Sequence, residues 1–145
     1  SLLNKHMVPN LLSIDDDRMI LKLIELTVKR HSFAENVRTL LDGEEGIDYF
    51  ENEIQAQKAP APELIFLDLN MSVMSGWEFM DIYSERFQER YPQTKICILT
   101  SSIDPRDEKK AKQYPSIIDF IYKPLTKDSL ALLTRHDSLR HLFEK

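Results

Sequence analysis

Glu63-Leu64-Ile65-Phe66-Leu67-Asp68 is the stretch on which the reading of the fold turns. A short apolar run that ends abruptly on an acid has the pattern of a strand buried on both faces of a sheet. The preceding Lys58-Ala59-Pro60-Ala61-Pro62 must be a loop, because two prolines deny it backbone donors. Four further runs of the same kind lie on either side. Asn10-Leu11-Leu12-Ser13-Ile14 is followed by Asp15-Asp16-Asp17, and Val37-Arg38-Thr39-Leu40-Leu41 stops at the turn signal Asp42-Gly43. Lys95-Ile96-Cys97-Ile98-Leu99 ends on Thr100-Ser101-Ser102, and Ile117-Ile118-Asp119-Phe120-Ile121 leads into Tyr122-Lys123-Pro124.

Amphipathic stretches separate these runs. Met19, Ile20, Leu23, Ile24, Leu26 and Val28, spaced by threes and fours, predict one buried helix face. A second helix is expected from about Glu44 to Gln57, with Ile47, Tyr49, Phe50 and Ile54 inward. A third follows Gly76, carries Trp77, Phe79, Met80, Ile82, Tyr83 and Phe87, and runs to Arg90-Tyr91 before Pro92 stops it. Asp104-Pro105 is an N-cap with proline in the first turn of a fourth. Thr126 can cap a fifth, expected to reach about Phe143 with Leu130, Leu133, Leu139 and Leu142 inward. Five strand–helix units imply an α/β class with a parallel sheet covered on both faces. The expected solution is a flavodoxin-like (βα)5 three-layer sandwich, its five strands in the order 2-1-3-4-5.

The 145 residues fit a single domain spanning 1–145, of which 1–7 are expected to be flexible or a remnant of expression. With 42% hydrophobic and 30% charged residues the composition is that of a globular protein, and a net charge of −5 supplies no broad basic field for nucleic acid or an anionic membrane. No apolar run is long enough to span a bilayer, and no signal peptide is evident. The lone Cys97 lies in an apolar run and reads as an inert buried thiol, which suits a reducing cytoplasm. His6, His31, His136 and His141 lack metal-ligand spacing and read as surface or helix-end residues. Arg135, His136, Arg140 and His141 read as a solvated face, and Trp77, Phe79 and Met80 as core.

In open sheets of this type, ligands bind outside the carboxyl ends of the strands. Four of the five expected strands end in a chemically capable residue: Asp15 and Asp16, Asp68, Thr100 and Lys123. If the strands are neighbours, these groups meet in one crevice. Asp17 reads only as a helix N-cap. Clustered carboxylates repel unless a cation compensates, and an all-oxygen set favours a hard ion such as Mg2+, which uses few carboxylates and tolerates phosphate oxygens. Lys123 can hold a phosphate oxygen or pair with Asp68 when the site is empty, and Thr100 adds a hydroxyl donor. Nucleophile, metal, cation and donor together suit phosphoryl transfer, with Asp68 forming an acyl phosphate.

The stretches Ile14-Asp15-Asp16-Asp17, Leu67-Asp68-Leu69-Asn70-Met71, Met74-Ser75-Gly76-Trp77-Glu78, Leu99-Thr100-Ser101-Ser102 and Tyr122-Lys123-Pro124-Leu125 resemble the receiver domains of two-component response regulators. The likeness covers the chain from about Val8 to the last helix, and the run 100–105 is similar to stand-alone receivers of the chemotaxis and phytochrome-partner kinds. The resemblance implies a role for each residue. Asp68 would take phosphate from a phosphohistidine of a sensor histidine kinase or phosphotransfer protein. Asp16, Asp68 and the backbone carbonyl of Asn70 would ligate magnesium, and Asp15 would act through a metal-bound water. Thr100 would bind the phosphoryl group, Lys123 would ion-pair with it, and the Lys123–Pro124 bond is often cis in the family. Phe120 would be the switch aromatic, altering the face of the fourth helix, fifth strand and fifth helix for a downstream protein or a homodimer; it reads equally well as plain core. Such a domain is a signalling switch, not a turnover enzyme.

Three departures stand out. Ser72 replaces a common proline, which should loosen that loop; Tyr114-Pro115-Ser116 replaces a small glycine-containing turn; and the loop at 58–62 is long. The alternatives are a haloacid-dehalogenase-like phosphatase, a pseudo-receiver, or the receiver half of a longer transcription regulator. The phosphatase would need an acid where Asn70 stands. A last helix running nearly to Lys145 is read as favouring a stand-alone protein.

Overall fold

Each of the five apolar runs is a strand in the computed structural model, which describes residues 6–144. They are β1 (Val8–Ile14), β2 (Ala34–Leu40), β3 (Leu64–Leu67), β4 (Lys95–Thr100) and β5 (Ile117–Tyr122). All pairs are parallel and the order is β2-β1-β3-β4-β5, the flavodoxin-like arrangement expected. Of the leader 1–7, residues 1–5 lie outside the described residues, while His6 and Met7 form a bend that enters β1. Among the described residues no helix is long and apolar enough to cross a membrane.

The sheet has a core on each face. Leu12, Ile14, Ile65, Leu67, Ile96 and Ile98 point to one side, where Ile47 and Phe50 from the second helical segment and Phe79, Met80 and Tyr83 from the third cover them. Leu11, Leu64, Phe66, Cys97 and Leu99 point to the other, under Ile24, Val28, Leu130 and Leu133. Alternation along β3 and β4 thus fills both faces, which is why those strands read as unbroken apolar runs. Cys97 is fully buried, and burial, reinforced by the charge of Asp119, pushes its thiol well above the ordinary range.

The helices are α1 (Arg18–Arg30), α2 (Gly43–Tyr49), α3 (Gly76–Arg86), α4 (Pro105–Ala111) and α5 (Lys127–Thr134). Asp17, Asp42, Ser75, Asp104 and Thr126 cap their N-termini through side-chain oxygens, so every strand-to-helix junction is fixed locally. Asp42-Gly43 is therefore a helix start rather than only a turn. After α2 the chain widens into a π-helical turn, Phe50–Ile54, in which Phe50 packs on Tyr83, Phe87 and Tyr91 at centroid distances of 5.3, 5.1 and 5.6 Å.

Three helix expectations need correction. The first is α3, which stops at Arg86, short of Arg90-Tyr91, where the amides of Phe87 and Gln88 both return to Tyr83 O at 2.9 and 3.1 Å. On α1 only Leu21, Ile24 and Val28 are buried; Met19, Leu23 and Leu26 are at least half exposed. The three-and-four spacing belongs to two stripes, one on the sheet and one facing outward. The last helix stops at Thr134 and does not run to Phe143. There His136 donates from Nε2 to the Ile118 carbonyl at 3.0 Å, the tautomer set by Nδ1 accepting the Ser138 amide at 3.0 Å. The chain turns and ends in a single 3-10 turn, Arg140–Leu142, with Leu139 still buried against the sheet. His136 is thus a half-buried tether rather than a surface residue.

Candidate functional site

The carboxyl ends of β1 and β3 lie side by side, with Ile14 opposite Leu67, so the residues that follow them are neighbours. The Asp15 amide donates to Leu40 O at 3.1 Å and the Asp68 amide to Ile14 O at 3.0 Å, which extends the ladder to both acids. Asp15 Oδ1 accepts the Asp17 amide at 2.9 Å, and this turn leaves Oδ2 facing inward. Asp68 Oδ1 accepts the amides of Leu69 at 2.8 Å and Asn70 at 3.4 Å. On the far side, the Lys123 amide donates to Thr100 O at 2.8 Å, which sets the lysine against the end of β4. The Lys123–Pro124 bond is cis.

Lys123 Nζ lies 2.6 Å from Asp15 Oδ2 and 3.3 Å from Asp68 Oδ2. Asp15 and Asp68 are buried and Asp16 is exposed, yet ligand oxygens of all three fall within 4.8 Å of one another. Burial holds the Asp15 carboxyl above its ordinary value, and the Asp68 charge adds to this. Hydrogen bonds from Lys123 and the Asp17 amide offset it only in part. Burial also works against the Lys123 charge, but the hydrogen bond to Asp15 and the charges of Asp68 and Asp15 outweigh it, and the ammonium is held above its usual range. The pair is unequal because one partly exposed lysine serves two carboxylates, while the buried Asp15 shares its only cation.

Of the residues expected at the site, Asp15, Asp16, Asp68 and Lys123 share one cleft. Thr100 adjoins it, fully buried at the end of β4, its Oγ1 accepting the Ser102 amide at 3.2 Å. Asn70 is exposed two residues beyond Asp68. Phe120 lies within β5 opposite Ile98, half-buried, its ring edge-on to Tyr122 at 5.4 Å. Three carboxylates facing one ammonium leave two negative charges among oxygen donors, a set that matches a hard divalent cation and suits magnesium.

Two features escaped the sequence. The Ser72 amide donates to Asp16 Oδ2 at 3.0 Å, so the missing proline supplies a donor that proline lacks and ties the loop after β3 to the acidic cluster. The expected loosening is thus countered at Ser72. Next to it, Val73 has φ +67° while the Met74 amide returns to Ser72 O at 2.7 Å, a tight three-residue turn strained for a β-branched residue. The second feature is Gly76: a Cβ there would run into the backbone carbonyl of Asp68, so α3 can start this close to the acid only with glycine.

The family model described as the response regulator receiver domain matches residues 11–135. The probable C4-dicarboxylate response regulator DctR of Halalkalibacterium halodurans is 28% identical over 142 residues, covering 97% of this chain and 56% of the relative. The cell cycle response regulator CtrA of Brucella ovis is 34% identical over 119 residues, 82% of this chain and 45% of that one. The chain spans about half the length of these curated relatives. A crystal structure of a two-component response regulator from Cytophaga hutchinsonii superimposes with a TM-score of 0.80 at 31% identity, covering 88% of this chain and 94% of that one.

Proposed function

The chain belongs to the response-regulator receiver family of two-component signalling, and from that premise we propose that Asp68 is its phosphoryl acceptor. The observation that carries this is the position of Asp68. It is buried at a strand end, one oxygen held by two amides and the other facing Lys123, within reach of two further acids. An Asp68 oxygen attacks the phosphorus of a phosphohistidine. The new O–P bond forms as the N–P bond breaks, and the ring nitrogen leaves with the electron pair and takes up a proton. Lys123 balances charge on the transferred group, and Thr100 donates its hydroxyl to a phosphoryl oxygen. Magnesium, held by Asp16, Asp68 and the Asn70 backbone carbonyl with Asp15 acting through a water, would neutralise phosphoryl charge at the site.

Receivers are signalling switches rather than conventional enzymes, and Asn70 fits this role. A carboxylic acid at that position could protonate a leaving group, as the phosphatase alternative requires; an amide cannot. Leu23 of the outward stripe, with Ile20 and Thr27, lines one wall of a groove of about 390 Å³ between α1 and Pro124-Leu125 that opens beside Lys123. This apolar surface suits a helix of the sensor kinase or phosphotransfer protein that delivers the phosphoryl group, a partner met in the cytoplasm. The face of α4, β5 and α5, where Phe120 and Tyr122 pack together, is the surface for a downstream protein or a second copy.

Intact-mass measurement after incubation with acetyl phosphate or phosphoramidate and Mg2+ tests the assignment. One phosphoryl group is expected on the wild type and none on Asp68→Asn. No addition to the wild type, or equal addition to the variant, would refute it. A general phosphatase assay is expected to show no turnover.

A further inference from the structure

The hydroxyl of Thr100 is the first link of a longer chain of contacts. Its oxygen accepts the Ser102 amide, and the Ser102 hydroxyl donates to Asp107 Oδ2 at 2.5 Å while accepting the Asp104 amide at 3.3 Å. The other oxygen of Asp107 accepts the indole N–H of Trp77 at 3.1 Å. One carboxylate in the first turn of α4 therefore joins the loop 101–104 to α3. The indole is itself fixed: it stacks on Tyr114 at 5.5 Å and 18°, and Lys110 Nζ lies 4.9 Å from its centroid. Hydrogen bonds to a carboxylate are stronger than neutral ones, and Asp107 makes two in opposite directions.

We propose that Asp107 is a positioning residue for Thr100, a latch that holds the loop after β4 in the unphosphorylated arrangement. This rests on the reading of Asp68 as acceptor. On that reading Thr100 moves toward the phosphoryl group on Asp68, and its hydroxyl then gives up its place against the Ser102 amide or carries the loop with it. The loop cannot follow while Asp107 grips Ser102, and Asp107 is held in turn by Trp77. Contacts made in only one of two states set the balance between them, so weakening the latch raises the share of molecules ready to bind a phosphoryl group. Linkage is reciprocal: a phosphoryl group on Asp68 must loosen the grip on Trp77, the sole tryptophan of the chain.

Beryllofluoride with Mg2+, a mimic of the bound phosphoryl group, provides the test on the full chain. Trp77→Phe keeps an aromatic ring and removes the N–H; Ser102→Ala breaks the other end and keeps the backbone amide. Each is expected to tighten beryllofluoride binding about tenfold, the lower end of what a hydrogen bond to a charged group contributes. The double variant should gain no more than either single one, because both act through Asp107. Affinity for Mg2+ alone should be unchanged in Trp77→Phe. In the wild type, Trp77 emission should shift with beryllofluoride and Mg2+ together but not with Mg2+ alone. A residue that merely supports the fold would lower the melting temperature without tightening binding. Wild-type affinity, or weaker, in both variants would overturn the latch alone. A wild type that binds no beryllofluoride and gains no phosphoryl mass would overturn the Asp68 reading with it.

Discussion

Asp15 and Lys123 form the shortest ion pair in the cleft, and the two residues do not benefit equally. Because burial holds the Asp15 carboxyl above its ordinary value of 3.8, the folded state binds that proton more tightly than the unfolded chain. Its contribution to stability is complete below the ordinary value and is lost as pH rises through the raised one. At neutral pH the ionisation of Asp15 therefore costs the metal-free fold relative to its protonated form, a cost set against the help its charge gives in keeping Lys123 ionised. Asp15→Asn is expected to melt no lower than the wild type in chelator at neutral pH while binding Mg2+ about tenfold more weakly, as loss of a group acting through a metal-bound water implies. Scanning calorimetry and a Mg2+ titration measure the two halves. For the same reason, wild-type Mg2+ affinity should begin to fall on acidification before ordinary carboxylates protonate. Asp15, Asp16, Asp68 and Lys123 could be read from the sequence because each follows a strand, and parallel strands bring their ends together. The Ser72 clamp on Asp16 could not be read, because it is a backbone donor and the side-chain pattern does not display it.

β3 and β4 were legible because burial on both faces leaves a run with no polar interruption, whereas β2, with Glu35, Asn36 and Arg38 exposed, showed itself only from Val37 onward. The helices were less legible. The apolar residues of α1 serve two surfaces, and spacing alone does not tell a core stripe from an exposed one. The end of α5 is decided by a contact with the Ile118 carbonyl in β5, while Leu139 and Leu142 keep a spacing that imitates a continuing helix. The most constrained junction is the start of α3. Its capping box, Ser75 with Glu78, fixes the first turn, and the Gly76 amide donates to Leu69 O at 2.9 Å. Gly76→Ala would press a methyl group against the Asp68 carbonyl and the Leu69 Cα. A loss of about 1–3 kcal/mol is expected, as in overpacked interiors, together with slower phosphorylation as Asp68 is displaced. Urea denaturation and the intact-mass assay read these separately.

At the scale of the whole molecule, the sheet divides the protein into two poles. The carboxyl ends of the strands carry the cleft. The opposite end is closed by hydrogen bonds that do not touch it: Thr94 Oγ1 donates to Pro62 O at 2.6 Å, the Lys95 amide to Glu63 O at 3.0 Å, and Glu63 exchanges bonds with Asn10 in both directions. The long loop that precedes β3 ends in this closure. Its amides at Lys58 and Ala59 bond back to Glu53 O, whereas Pro60 has none to lose. A four-residue Gly/Ser insertion between Ala59 and Pro60 is expected to cost less than about 1 kcal/mol by thermal melting and to leave phosphoryl uptake unchanged. The same separation gives the molecule a handle. Immobilised through that loop, every copy would stand with the Asp68 cleft, the proposed acceptor site, facing away from the support, an oriented layer whose carboxyl-end cleft is turned to solution.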